Sequence, residues 1–201
     1  MTTQSGIAYL RAVASYFIRR AYEDDKAAEM TNMKVQKLLY YAQSICLALY
    51  DRPLFSEEIQ AWRYGPVCPP AYRFYSEFEA DQLPIPDERY IESISDETKK
   101  LLDEVWQYFG RYHAYQLSGM THVEFPWKKA RGDLPAEASS TKPIPLDDMA
   151  ILGQQKLAEI EREHPAYQPV IAKVIEETLN SETEQTVTKG EIRDWLESLL
   201  D

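Results

Sequence analysis

Residues 31–50 of the 201-residue chain read TNMKVQKLLYYAQSICLALY, a run whose apolar side chains recur at helical spacing. Thr31 or Asn32 is suited to cap the start of a helix, and Asp51-Arg52-Pro53 to end it near Tyr50. The wide apolar face consists of Val35, Leu38, Leu39, Ala42, Ile45, Cys46 and Leu49. Such a face predicts a central helix that other elements cover.

The segments around this run are also mostly helical in pattern. Upstream, an apolar stripe from Ile7 to Ala21 predicts an amphipathic first helix. Downstream, we expect a short helix opening at Pro69-Pro70, a long one over 96–117, and another from Leu146 or Asp147 towards Glu163. Only 59–64 favours an extended conformation. The chain is therefore predicted to be mainly α, a compact helical domain with at most a short β element near 59–64.

Two aromatic-rich blocks stand out from these helices. In the first, QAWRYGPV over 60–67, Gly65-Pro66 predicts a turn that holds Trp62 and Tyr64 beside a rigid corner. In the second, THVEFPW over 121–127, Thr121 and Glu124 fit a capping box, with the helix proper opening at Pro126. Large aromatic side chains on a stiff corner are typical of a recognition surface, although filling the core is the commoner role for any single aromatic.

Composition restricts the class of protein. The formal net charge of -11 would repel phosphate backbones, so direct nucleic-acid binding is not expected and a basic protein partner is favoured. The two cysteines, Cys46 and Cys68, provide neither a disulfide framework nor metal-ligand spacing. The uncharged run from Leu38 to Tyr50 is far shorter than the roughly 20 residues of a membrane span. These features predict a cytoplasmic protein with no membrane partner.

Three blocks carry a family resemblance: Leu38 to Gln43, Ala61 to Val67 and Thr121 to Trp127. In this order and spacing they resemble the Panacea family, the SocA-like antitoxin domain that also occurs in phage-associated proteins. The resemblance implies a non-enzymatic antitoxin that neutralises its cognate toxin, typically encoded by the adjacent gene, by direct binding. It also leaves open a protease adaptor that delivers the toxin to a bacterial protease, or a phage-linked regulatory interaction protein.

The resemblance covers a domain at about 1–157 and leaves a C-terminal helical extension at 158–201. The last predicted helix, capped by Thr188, presents Ile192, Trp195 and Leu199 on one face. This face suits either docking into a groove on the toxin or covering the protein's own core. The candidate partner-binding residues are Trp62, Arg63, Tyr64, His122, Trp127, Arg131 and Trp195.

Enzymatic alternatives find little support in the sequence. His122 and Glu124 form a His-x-Glu pair, but the Cys-x-x-Cys that completes a zinc deaminase site is missing from the sequence. Cys68, just before a helix start and with His122 as a possible base, is the one candidate for a cryptic hydrolase. No nucleophile signature surrounds it, so a small buried side chain is the favoured role. We therefore expect no catalytic residue, cofactor or metal.

Overall fold

The computed structural model describes residues 2–135 and 137–163, which contain seven α-helices and one two-stranded sheet. Three short 3-10 turns, Ala27–Glu29, Ser76–Phe78 and Glu88–Tyr90, lie between the longer elements. The helices are α1 (Thr2–Glu23), α2 (Asn32–Tyr50), α3 (Pro69–Phe74), α4 (Asp96–Phe109), α5 (Ala114–Val123), α6 (Phe125–Arg131) and α7 (Leu146–Glu163). The strands are β1 (Gln60–Trp62) and β2 (Gly65–Val67). The mainly α prediction is confirmed.

Helix α2 is the central element, as its wide apolar face predicted. The Thr31 hydroxyl accepts a hydrogen bond from Lys34 N at 3.4 Å, and Asp51 ends the helix in the left-handed conformation with φ of 51°. Every side chain from Lys34 to Leu47 is buried, polar ones included. Helices α1, α4 and α5 pack against it. Burial on all sides is the environment expected of a helix at the centre of a domain.

The buried polar side chains of α2 bind the backbone of the connections around it. The Gln43 amide accepts from Leu54 N and Phe55 N and donates to Phe55 O, at 2.8 to 3.2 Å. Lys34 Nζ donates to Gly110 O at 2.9 Å, at the end of α4. Buried backbone groups outside helices need such partners, since each unpaired one costs about 1–3 kcal/mol. The buried polar side chains of α2 thus hold the connecting segments in place by binding their backbone.

The single helix predicted over 96–117 is wrong. Helix α4 ends at Phe109, Gly110 caps it, and α5 begins anew at Ala114. Gln116 accepts from His113 N at 2.9 Å, which fixes the start of α5. The apolar spacing continues across the break because α4 and α5 each bury one face. Helix α4 nevertheless ends before Gly110, whose carbonyl accepts a hydrogen bond from Lys34.

The capping box predicted at Thr121 and Glu124 is also wrong. Thr121 lies inside α5, and its hydroxyl donates to Ser118 O at 2.8 Å. Glu124 precedes α6 without a side-chain cap bond; its carboxylate instead accepts from Tyr41 at 3.0 Å and forms an ion pair with Lys156 at 3.2 Å. The prediction that a helix opens around Pro126 is confirmed, with Pro in the first turn of α6.

The β element is larger than predicted, and its turn lies earlier. Ala61 pairs with Pro66 and Trp62 with Gly65, so the loop is Arg63-Tyr64 and Gly65-Pro66 belongs to the second strand. Gly65 still provides the positive φ, 101°, just after the loop. The other edge of β1 binds the segment 142–144 through Ala61 N to Lys142 O and Ile144 N to Ile59 O, both 2.8 Å. The hairpin is therefore held on both sides of β1.

The first compact unit of the chain extends to Ala158, inside α7. The predicted extension over 158–201 lies outside the described residues apart from the last turns of α7, so the domain boundary stays a prediction. No helix of the described part combines the length and the apolar character needed to span a membrane.

Candidate partner-binding site

The β1–β2 hairpin displays two large side chains at its tip, defined here as Arg63 and Tyr64. Both are exposed, and Tyr64 has 59% of its surface accessible. The Arg63 guanidinium lies over the Tyr64 ring, 5.1 Å from its centroid. Trp62, one residue earlier, is half-buried and packs on Tyr72 with ring centroids 5.2 Å apart. Arg and Tyr are residue types that often carry the binding energy of protein interfaces.

The backbone on the β1 side of the tip is fixed by two side chains of α6. Trp127 Nε1 donates to Trp62 O at 2.9 Å, and Arg131 Nη1 donates to Ala61 O at 3.4 Å. Both donors are buried, with 8% and 2% of their surfaces exposed. They therefore contact the hairpin from the interior rather than from the surface.

Two side chains of α5 bind the carbonyls of the tip itself. His122 Nε2 lies 3.1 Å from Arg63 O, and the Ser118 hydroxyl donates to Tyr64 O at 3.0 Å. Since a carbonyl only accepts, the bond places the His122 proton on Nε2. The tip consequently has its backbone held from below while both of its side chains point outward.

Helix α2 contributes the last contact, from beneath β2. Lys37 Nζ donates to Pro66 O at 3.0 Å. The approach requires Gly65, because a Cβ there would lie 2.7 Å from both Lys37 Nζ and Thr121 Oγ1. Five consecutive or near-consecutive carbonyls are thus bound by the supporting side chains, defined as Lys37, Ser118, His122, Trp127 and Arg131.

The structure divides the predicted site residues into two groups. Trp62, Arg63 and Tyr64 lie together on the hairpin, and His122, Trp127 and Arg131 meet them through backbone carbonyls. Trp195 lies outside the described residues. Sequence reasoning missed Lys37 and Ser118. At helical spacing Lys37 lies off the apolar face of α2, so no local signal distinguished either Lys37 or Ser118.

Charge and burial keep the imidazole of His122 neutral. Burial lowers its pKa first, the Lys37 and Arg131 charges lower it further, and the bond to Arg63 O opposes them. Its ring also packs on Trp127, with centroids 4.4 Å apart. The neutral ring donates to the hairpin without adding a charge beside Lys37 and Arg131. Burial lowers the pKa of Lys37 itself to about 7.

A groove of about 590 Å³ runs beside the hairpin. Side chains of α2, the hairpin, α3 and the loop at 139–141 line it, among them Gln36, Lys37, Trp62, Tyr64, Tyr72 and Thr141. Gln36 also accepts from Cys68 N at 3.0 Å, which anchors the start of α3 to α2. The groove is continuous with the tip, because Arg63 and Tyr64 also line it.

The thiol considered for a hydrolase is unsuited to nucleophilic attack. Cys68 is buried, and burial raises its pKa to about 12, so the thiolate is strongly disfavoured near neutral pH. The backbone bond near Ala71 opposes this only weakly. Within the part of the chain that the structure describes, no three His, Cys, Asp or Glu side chains gather in a way that would hold a metal ion.

Comparison with known proteins finds a family model for the segment that contains the hairpin and four of its five supporting side chains; Arg131 lies just beyond the matched residues. The model of the family described as antitoxin SocA-like, Panacea domain, matches residues 35–128, from α2 into α6. Antitoxin SocA of Caulobacter vibrioides (strain NA1000 / CB15N) is 39% identical over 66 residues. That alignment covers 33% of this chain and only 34% of the relative. No solved structure matches the chain significantly. Residues 35–128 therefore match the Panacea domain of the antitoxin SocA-like family, and the chain spans only about a third of the length of the relative it matches.

Proposed function

We propose that this chain is an antitoxin that neutralises a cognate toxin by direct protein–protein binding, with the hairpin tip at the centre of the interface. The observation that carries the proposal is the fixed backbone of the tip beneath two exposed side chains. The family of the segment supports the class of function, and the relative's name, antitoxin SocA, points the same way.

A fixed backbone favours tight binding because ordering a loop at an interface costs free energy. Here the hairpin is ordered by bonds that exist before any partner arrives, so that cost is small. Arg63 and Tyr64 already stack on each other, which restrains two rotamer-rich side chains. An interface of about 1,600 Å² centred on two such anchors is sufficient for stable inhibition and requires no chemistry.

The charge of the chain favours a basic toxin. A net charge of -11 accelerates the encounter with a positively charged partner and disfavours nucleic acid as a competitor. Three of the supporting side chains then act indirectly. In this proposal His122, Trp127 and Arg131 position the backbone of the tip, and Trp195 stays a candidate contact residue.

The direct test is binding of the protein encoded beside this chain. The double variant Arg63→Ala/Tyr64→Ala should weaken the purified complex by about 2 kcal/mol or more, roughly 30-fold in Kd, because it removes both anchors. Calorimetry with the purified pair measures this loss, and growth rescue in cells should fall with it. Tyr115→Ala, which removes a 79% exposed tyrosine of α5, is the matched control and should leave Kd unchanged.

Two outcomes would contradict the proposal. Rescue of growth with no complex detected between the purified proteins would rule out neutralisation by binding. Rescue that disappears when a cellular protease is deleted, together with degradation of the toxin, would instead indicate delivery to that protease.

A further inference from the structure

The groove beside the hairpin has a buried lysine amine in its lining. Lys37 is 1% exposed, and its Nζ donates to Pro66 O. Among the described residues no carboxylate pairs with it, and burial alone perturbs its charge state. By contrast Lys34, one turn earlier on α2 and equally buried, has Glu29 at 3.3 Å. Buried charges in proteins are normally paired, so the groove contains a donor lacking its usual partner.

The surrounding charges reinforce this positive character. Arg63 lines the groove, and the charges of Lys37 and Arg131 both act on His122 nearby. One carboxylate, Glu79, also lines the groove. In a chain with a net charge of -11, this is a local reversal of sign. A reversal beside an exposed recognition tip is the pattern expected where a partner inserts one acidic group.

We propose that the groove receives an acidic side chain, Asp or Glu, of the toxin that binds the hairpin tip, and that its carboxylate pairs with Lys37. This inference rests on the proposed antitoxin function and specifies the partner's chemistry. A carboxylate there would supply the negatively charged partner that Lys37 does not have among the described residues, and the pair would be shielded from solvent. The toxin's surface as a whole stays basic, complementary to the acidic exterior, while this single acidic residue sets the register of binding.

The shape of the groove favours a protein segment over a free small acid. Its volume, about 590 Å³, is enough for several side chains, and Trp62 and Tyr72 give it an apolar wall. The groove opens beside Arg63 and Tyr64, so a toxin segment that packs on the tip can continue directly into the groove. Thr141, an exposed residue of its lining, lies on a loop that binds β1 at Lys142.

The test compares two lysine variants against the purified product of the adjacent gene. Lys37→Met keeps the length and burial of the side chain and removes the charge, and we expect it to weaken binding at least about 30-fold. Lys34→Met removes a buried lysine outside the groove and should change Kd less than threefold. Circular dichroism confirms that each variant is folded. A second route leaves the core intact: Thr141→Trp, which fills the groove from its exposed side, should also weaken binding.

Substitutions in the toxin identify the carboxylate that pairs with Lys37. Each Asp and Glu of the toxin is changed to Asn or Gln, and one such change should reproduce the loss seen with Lys37→Met. Combined with Lys37→Met, that change should cause no further loss, the signature of a direct pair in a double-mutant cycle.

The results separate the two levels of inference. If the unmodified chain does not bind the product of the adjacent gene, the proposed function fails. If it binds, but Lys37→Met and Thr141→Trp bind equally well, the groove inference is overturned while the antitoxin function stands. Loss with Lys37→Met that no acid-to-amide change in the toxin reproduces would also overturn it.

Discussion

The hairpin tip and the supporting side chains each contain an arginine and a large aromatic side chain, but these have opposite roles in the structure. Arg63 and Tyr64 are exposed, whereas Arg131 and Trp127 are buried and bind the carbonyls of Ala61 and Trp62. Residue type therefore does not separate a displayed side chain from a positioning one. What separates them is whether the polar end of the side chain is already bound to the protein's own backbone.

The largest expected effect comes from the point where tip and supports meet. Gly65→Val should destabilise the protein by about 3 kcal/mol or more, because φ is positive there and a Cβ would collide with Lys37 and Thr121. Urea unfolding measures the change. Gly119→Ala is the control: a Cβ there has no heavy atom within 4 Å, and helix α5 should gain about 0.5–1 kcal/mol. Equal stability of the two variants would contradict the packing described.

Removal of a supporting cation should come next. Arg131→Met should destabilise the fold by about 2–3 kcal/mol, because the carbonyls of Ala61, Pro135 and Ala138 lose a buried donor. Denaturation at neutral pH measures it. Lys128→Met, on an exposed position of the same helix, should stay within about 0.5 kcal/mol of the unmodified protein. A small effect at Arg131 would mean that the hairpin does not depend on α6.

Lys37 should make stability depend on pH in the alkaline range. Its pKa is about 7 in the folded protein and 10.5 as the ordinary value, so the unfolded chain holds the proton more tightly between these pH values. Stability from this group should thus rise with pH above 7, by up to about 1.4 kcal/mol per unit. Lys37→Met should lack this rise. Parallel stability curves of the two proteins from pH 7 to 9 would show that the amine is not buried as described.

The smallest effect on stability is expected at the tip. Arg63→Ala/Tyr64→Ala should change the free energy of unfolding by less than about 1 kcal/mol, because it removes only an exposed cation–π contact. Thermal unfolding measures this change in the same samples used for binding. A large loss of stability would show that the tip holds the fold together, and the contrast with the supporting side chains would disappear.

Several elements were predictable because their signals are local. The cap at Thr31, the apolar period of α2 and the Pro69-Pro70 start of α3 each act within a turn or two of chain, and each occurs where predicted. The long helix over 96–117 failed because periodicity survives a break when both helices bury a face. The turn at Gly65-Pro66 was misplaced because the register of β1 and β2 depends on contacts with Lys37, Thr121 and segment 142–144.

By itself the chain's order of residues determined the helical class, the central position of α2 and the family to which the three blocks point. These follow from spacing, capping and composition, which are short-range properties. Only the tertiary structure decided which aromatic and basic side chains face outward, that the second block binds the carbonyls of the first, and that Lys37 lines a groove beneath them. Those outcomes depend on pairs of residues 29 to 70 positions apart, whose approach no local pattern encodes.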